Sequence, residues 1–183
     1  MIKAIVCVDE KWAIGKDNGL LFNLKEDMQF FKEKTTWSIV VMGENTLLSL
    51  PGSKPLKNRI NIVLCPEGRE YPGCLCFHNF NNLVNQLKAL DCDIYVIGGG
   101  MMYNSMLPYY DEVYVTKVEA DGEGTVFFPN LDENADFELV ESSDFIKDGD
   151  YIINFCKYER KARWIKLELN VIFVSIGQVE VVW

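Results

Sequence analysis

Short apolar runs rich in β-branched residues recur along most of the chain: Ile2 to Val8, Ile39 to Met42, Arg59 to Cys65, Ile94 to Ile97 and Glu112 to Val118, each bounded by Gly, Pro, Asn or Asp. Runs of this length without polar alternation predict strands buried on both faces. Between them the apolar spacing becomes helical over Leu24 to Thr35, Asn81 to Leu90 and Met101 to Leu107, so strands and helices alternate. Past Pro129 the pattern changes again. Phe137 to Phe145 and Tyr151 to Glu159 read as two strands around Lys147, Asp148, Gly149 and Asp150, a hairpin signal. The predicted fold is a single-domain α/β architecture: a mostly parallel twisted sheet, helices on both faces, and an antiparallel C-terminal hairpin at its edge. The Pro-bounded segments Pro51 to Pro55 and Pro66 to Pro72 are of loop length and divide nothing.

A length of 183 residues with 49% apolar and 25% charged residues suits one domain with a substantial core. The formal net charge of −9, with no local basic patch, disfavours nucleic acid as a partner. An N-terminal apolar run that turns acidic at Asp9 and Glu10 is too short for a signal peptide or a membrane span, which predicts a cytoplasmic protein. The six cysteines form no paired framework and read as reduced thiols. Cys74, Cys76 and His78 alternate onto one strand face, but a fourth ligand is missing and no metal is expected.

Two places carry candidate chemistry. Asn23 is placed to cap the first helix, with Glu26 reaching back as a capping box, and in that register Leu24, Asp27, Met28 and Phe31 share one inward stripe. Asp27 is then an acid on an apolar face. It either turns to solvent at the positive helix end or faces a donor-rich ligand with a raised pKa, and the residues alone leave both readings open. The second place is Ile94 to Tyr103, where a buried strand enters Gly98, Gly99 and Gly100 and then a helix. Backbone can approach a ligand closely there, although the spacing is not the dinucleotide fingerprint.

Read together, these segments resemble the dihydrofolate reductase family. The resemblance runs through Ala13 to Asp27, Val40 to Gly43, Thr46, Leu56 to Leu64, Ile97 to Tyr103 and Val113 to Thr116, in order, and covers Met1 to about Lys161. It implies reduction of dihydrofolate by a hydride from NADPH, with NADH admitted as well. By resemblance, Asp27 holds the pterin, Thr116 braces Asp27, and Phe22 and Leu20 complete the catalytic group on the loop ahead of the helix. Arg59 grips the glutamate tail, while Ile5, Val6, Met28, Phe31, Leu50, Leu56 and Ile97 wall the pterin and aminobenzoyl groups. The cofactor is assigned Cys7, Ile14, Asn18, Gly19, Leu20, Gly43, Glu44, Asn45, Thr46, Leu64, Cys65, Gly98, Gly99, Gly100, Met101, Met102 and Tyr103.

Several residues depart from the family pattern. Phe22 stands where tryptophan is usual and Leu21 where proline is usual. Glu44, Met101 and Pro66 occupy positions that often hold a cation or hydroxyl for the cofactor's 2′-phosphate, so the preference for NADPH is expected to be small and to rest on Lys57 or Arg69. The alternatives are a same-fold pyrimidine reductase of riboflavin synthesis, opposed by Asp27 together with Arg59, and a non-catalytic folate- or nucleotide-binding relative. A monomer of one domain over residues 1–161 is expected. The extension over residues 162–183 alternates Ile165, Leu167, Leu169, Val171 and Phe173 with polar residues, a pattern that would pack on the body or pair two chains.

Overall fold

A computed structural model describes residues 1–162, so all but the first residue of the C-terminal extension lies outside the described residues. In chain order the elements are β1 (Ile2–Val8), β2 (Ala13–Lys16), β3 (Gly19–Leu20), α1 (Lys25–Thr35), β4 (Ile39–Gly43), α2 (Glu44–Ser49), β5 (Ile60–Leu64), β6 (Cys74–Phe77), α3 (Phe80–Lys88), β7 (Ile94–Gly98), α4 (Gly100–Met106), β8 (Glu112–Val118), β9 (Val126–Phe127), β10 (Phe137–Ser142), β11 (Ile146–Asp148) and β12 (Tyr151–Arg160). Single 3₁₀ turns follow α2 at Pro51–Ser53 and α4 at Leu107–Tyr109.

Nine strands form one sheet in the order β10-β12-β8-β1-β7-β4-β5-β6, with β11 added beside β12. The six strands from β8 to β6 run parallel, and β12, β10 and β11 pair antiparallel. This is the predicted architecture. The period-two alternation of strands sorts the core onto both faces: Ile39, Val41, Ile94 and Val96 pack with Leu83, Leu87 and Met106 of α3 and α4. Val40, Met42 and Tyr95 point the other way, toward Phe30 and Phe31 of α1 and Leu47 of α2.

Several features differ from the sequence expectation, among them α2, a helix that the apolar spacing did not predict. The segment ahead of α1, read as loop, is a hairpin of β2 and β3 whose turn residues Asp17 (φ 50°) and Asn18 (φ 60°) both take the left-handed conformation. That is the backbone of a tight two-residue turn matching strand twist. The hairpin continues into a small sheet through β9. The predicted strand Phe137 to Phe145 ends early, as β10 at Ser142, with a register shift between Leu139 and Glu141, and β11 forms beyond it at Ile146–Asp148, partly within the predicted turn. Finally, α1 is not capped by Asn23. Leu24 sits at the N-cap without a side-chain bond, and the carboxylate of Asp148 instead accepts the N–H groups of Lys25, Glu26 and Asp27 at 3.0, 2.7 and 3.4 Å. A buried, charged, two-oxygen acceptor serves several amides at the positive helix end, which a single Asn amide oxygen cannot match.

Candidate active site

Ligands of open α/β sheets bind at the C-terminal ends of the parallel strands. Two groupings lie there, and a third lies at the opposite end of β5, where Arg59 precedes Ile60 and meets the end of α1.

The first is the acid. With Asp148 clamping its first turn, α1 holds Asp27 half-buried beside Thr116 of β8, which lies level with Cys7 of β1. Burial pushes the Asp27 carboxyl above its ordinary range; the Thr116 hydroxyl opposes this and the nearby charge of Asp148 adds to it. Thr116 Oγ1 is the buried side-chain oxygen left without a hydrogen-bond partner among the described residues. An unsatisfied buried hydroxyl beside a desolvated carboxylate is costly by itself and is explained by a ligand that donates to both. Burial, followed by the charges of Asp27, Asp148 and Asp9, also raises the Cys7 thiol, which stays neutral and is a poor nucleophile.

The inward stripe of α1 is only partly as expected. Leu24 is buried and Phe31 half-buried, but Met28 is exposed, so the stripe fringes a cleft rather than a closed core. Leu50, Leu56 and Ile97 are half-buried on the same cluster as Phe31, and Ile5 lies beneath them. Val6 does not join this wall. Successive strand residues face opposite ways, and its side chain packs with the α3 and α4 side.

The second grouping is a cation. Arg59 Nε donates to Thr35 Oγ1 at 2.9 Å and its Nη1 to the Lys57 carbonyl at 2.6 Å, with the guanidinium 5.7 Å from the Phe31 ring centre. No carboxylate among the described residues pairs with it. A half-buried guanidinium held this way suits a carboxylate ligand.

The third is a glycine cradle. A Cβ on Gly98 (φ 129°) or on Gly99 would meet Thr46 Oγ1 at 3.2 Å, and Gly43 faces the same peptide, so backbone and a hydroxyl approach each other with no room for a side chain between them. Tyr103 is buried and donates its hydroxyl to the Ile5 carbonyl at 2.8 Å, tying the cradle to β1. Met102 turns into the core, so only its backbone faces the rim, whereas Met101 and Asn45 are exposed at the mouth. Leu64 ends β5 alongside with Cys65 following it, and Glu44 begins α2. The residues present therefore fit a nucleotide laid along the strand ends.

Ahead of α1 stands the β2/β3 hairpin, with Ile14 half-buried, Gly19 and Asn18 at its exposed tip and Leu20 76% exposed. Phe22 packs edge-on against Tyr151, ring centres 4.8 Å apart. Asp9 roots the hairpin by accepting the N–H groups of Lys11, Ala13 and Gly122 at 2.8, 2.8 and 3.0 Å. Sequence reasoning missed both Asp9 and Asp148: Asp148 acts on a helix 121 to 123 residues away, and Asp9, besides its local turn to Lys11 and Ala13, reaches Gly122 across 113 residues. Cys74, Cys76 and His78 do not converge: His78 bonds the Cys65 carbonyl and Glu70, and among the described residues no cluster of metal-ligating side chains forms.

A parallel sheet with a glycine cradle at its strand ends beside a desolvated acid is the arrangement of an oxidoreductase that sets a nucleotide cofactor against a second ligand. Residues 1–160 match the family model of dihydrofolate reductase. The chain is 34% identical to the dihydrofolate reductase of Bacillus subtilis over 165 residues, covering 88% of this chain and 95% of that protein. It is also 34% identical to that of Haemophilus influenzae over 149 residues, covering 81% and 91%. Among solved structures, the dihydrofolate reductase of Enterococcus faecalis complexed with NADP(H) and RAB-propyl superposes with a TM-score of 0.81 at 30% identity, covering 88% of this chain and 97% of that one. The chain belongs to the dihydrofolate reductase family.

Proposed function

We propose that Asp27, Thr116 and Arg59 orient dihydrofolate for reduction to tetrahydrofolate and that the glycine cradle holds NADPH beside it. The observation that carries this reading is the desolvated Asp27 carboxyl next to the unpartnered Thr116 hydroxyl. A pterin edge presents an amino group and a ring N–H in a fork that a carboxylate accepts in bidentate fashion. When bound, the reduced nicotinamide supplies a hydride.

The reduction adds that hydride to the carbon of the pterin imine and a proton to its nitrogen. Asp27 favours the protonated pterin by placing a negative charge beside it in a low-dielectric site, and a water admitted past the hairpin delivers the proton. Leu20 and Phe22 on that segment limit how much water enters. Arg59 binds the glutamate carboxylate, and Phe31, Leu50 and Leu56 hold the aminobenzoyl ring between the two polar ends. Cys7 and Tyr103 provide a neutral floor for the nicotinamide.

On this reading residues 1–161 form the catalytic unit of a cytoplasmic monomer whose partners are a folate and a nicotinamide cofactor. Among the described residues no helix is long and apolar enough to cross a membrane. The family match sets aside the pyrimidine-reductase alternative. The test is loss of NADPH absorbance on adding dihydrofolate. Turnover that follows the folate supports the reading; no turnover, with NADPH and folate both bound, would leave a binding protein.

A further inference from the structure

Glu44 opens α2 at the C-terminal end of β4, one residue beyond Gly43 of the cradle. Its Oε1 accepts the Tyr71 hydroxyl at 2.5 Å and lies 3.0 Å from Nε of Arg69. Arg69 also pairs with Glu67, and it is half exposed where Glu44 is sunk, at 48% against 14% of side-chain surface. Tyr71 is anchored from behind, since it packs on the α1 and α2 core and its N–H donates to Cys76 Sγ at 3.4 Å. Glu44 is therefore the more deeply anchored member of the pair and Arg69 the more exposed one.

This trio lies at the outer end of the cofactor seat. The hydride has to be delivered near Asp27 and Cys7, at β1 and β8, and the glycine cradle lies at the ends of β7 and β4. Continuing across the sheet along β1-β7-β4-β5 brings the far end of a dinucleotide to Glu44, Cys65 and the loop carrying Arg69 and Tyr71. Lys57, the other candidate cation, precedes β5 at the opposite end of that strand, beside Arg59. An acid accepts a free ribose 2′-hydroxyl, and an arginine accommodates a 2′-phosphate. Here the two are paired with each other. Both contacts to Glu44 use Oε1, so Oε2 is available to a hydroxyl.

Resting on the NADPH reading above, we propose that Glu44 and Arg69 together set the choice between the two nicotinamide cofactors. Glu44 accepts the ribose 2′-hydroxyl of NADH, and Arg69 swings to the 2′-phosphate of NADPH. Because the phosphate must draw Arg69 away from Glu44 and Glu67 and then sit near both carboxylates, the advantage of NADPH is small, within about tenfold.

Calorimetric titration of the full chain with two adenosine fragments, 2′,5′-ADP and 5′-AMP, reads the pair without catalysis, and NADPH binding is measured alongside. Glu44→Gln, which keeps an acceptor for Tyr71, should widen the preference for 2′,5′-ADP by about tenfold, most at low salt. Arg69→Ala, a surface truncation, should bring the two fragments to nearly equal affinity while leaving 5′-AMP unchanged. A wild-type preference of several hundredfold, or a ratio unmoved by both substitutions while NADPH still binds, overturns the assignment of the pair. If wild type binds neither NADPH nor either fragment, the cofactor reading falls and the pair with it.

Discussion

The carboxylate of Asp148 accepts the N–H of Glu26 at 2.7 Å across 122 residues of sequence, so the hairpin after β11 holds the helix that carries Asp27. Asp148→Ala should lower stability by about 1 to 2 kcal/mol, the usual range for losing a helix cap. A fall in thermal midpoint of about 2 to 4 °C per kcal/mol is the corresponding readout. Asp148→Asn keeps an acceptor but removes the charge that raises Asp27, so the acid limb of its pH–rate profile should move downward. An unshifted limb would mean that the Asp148 charge does not reach Asp27.

Asp27 should be needed for rate and unfavourable for stability. Asp27→Asn is expected to lower kcat at neutral pH by about 10² to 10³, with the deficit shrinking in acid where the substrate arrives protonated. The sign of the stability effect follows from linkage. Burial raises the folded-state pKa of Asp27 above its unfolded value, so the folded protein takes up the proton first. Stability is greatest below the unfolded pKa and declines as pH rises through the folded value. Asp27→Asn should therefore melt at or above the wild-type temperature at neutral pH, and the gap should close below the ordinary carboxylate pKa. A variant that melts lower than wild type at neutral pH would contradict the desolvated environment.

Arg59 should act on binding alone. Arg59→Ala is expected to raise KM for dihydrofolate with kcat little changed, and to leave a pterin lacking the glutamate tail unaffected. Arg59→Lys should recover little, because an ammonium cannot reproduce the fork held by Thr35 and Lys57. Equal losses with and without the tail would place Arg59 elsewhere in the mechanism.

Close packing beneath the hairpin gives a fourth test. A Cβ on Gly124 would lie 2.5 Å from Ala13 Cβ and 2.9 Å from Leu21 Cδ1. Gly124→Ala should push the hairpin off its seat at about 1 to 3 kcal/mol. Steady-state and single-turnover rates should both fall if the hairpin controls water access; a destabilised enzyme with unchanged rates would show that its position is immaterial.

The C-terminal extension is expected to be accessory. The family match ends at residue 160, and Arg160 closes β12 by donating to the Tyr110 and Leu107 carbonyls at 2.7 and 2.5 Å. Truncation after Lys161 should leave kcat and the thermal midpoint unchanged, checked by assay and by sedimentation for a change in association state.

By itself the sequence pointed to the buried parallel strands, because short β-branched runs such as Ile39 to Met42, alternating with helical spacing, suit strands covered on both faces. It also located the glycine run, whose backbone freedom is a local property, and it put Asp27 on a helix turn from which both a solvent-facing and a ligand-facing orientation were open. Tertiary structure chose between them. Thr116 and Asp148 approach Asp27 from β8 and the end of β11, and contacts at such separations leave no periodic trace. The same holds for the cap: Asn23 and Glu26 form a valid local signal that Asp148 overrides once the fold delivers a buried charge to the helix end. Val6 and Met28 were misplaced for a simpler reason, since strand alternation and an open cleft are decided by which neighbour covers each face. Glu44 reads in sequence only as a repulsive charge in a phosphate position. Its pairing with Arg69 and Tyr71 exists because the parallel strands β4 and β5 end side by side and bring their following loops into contact.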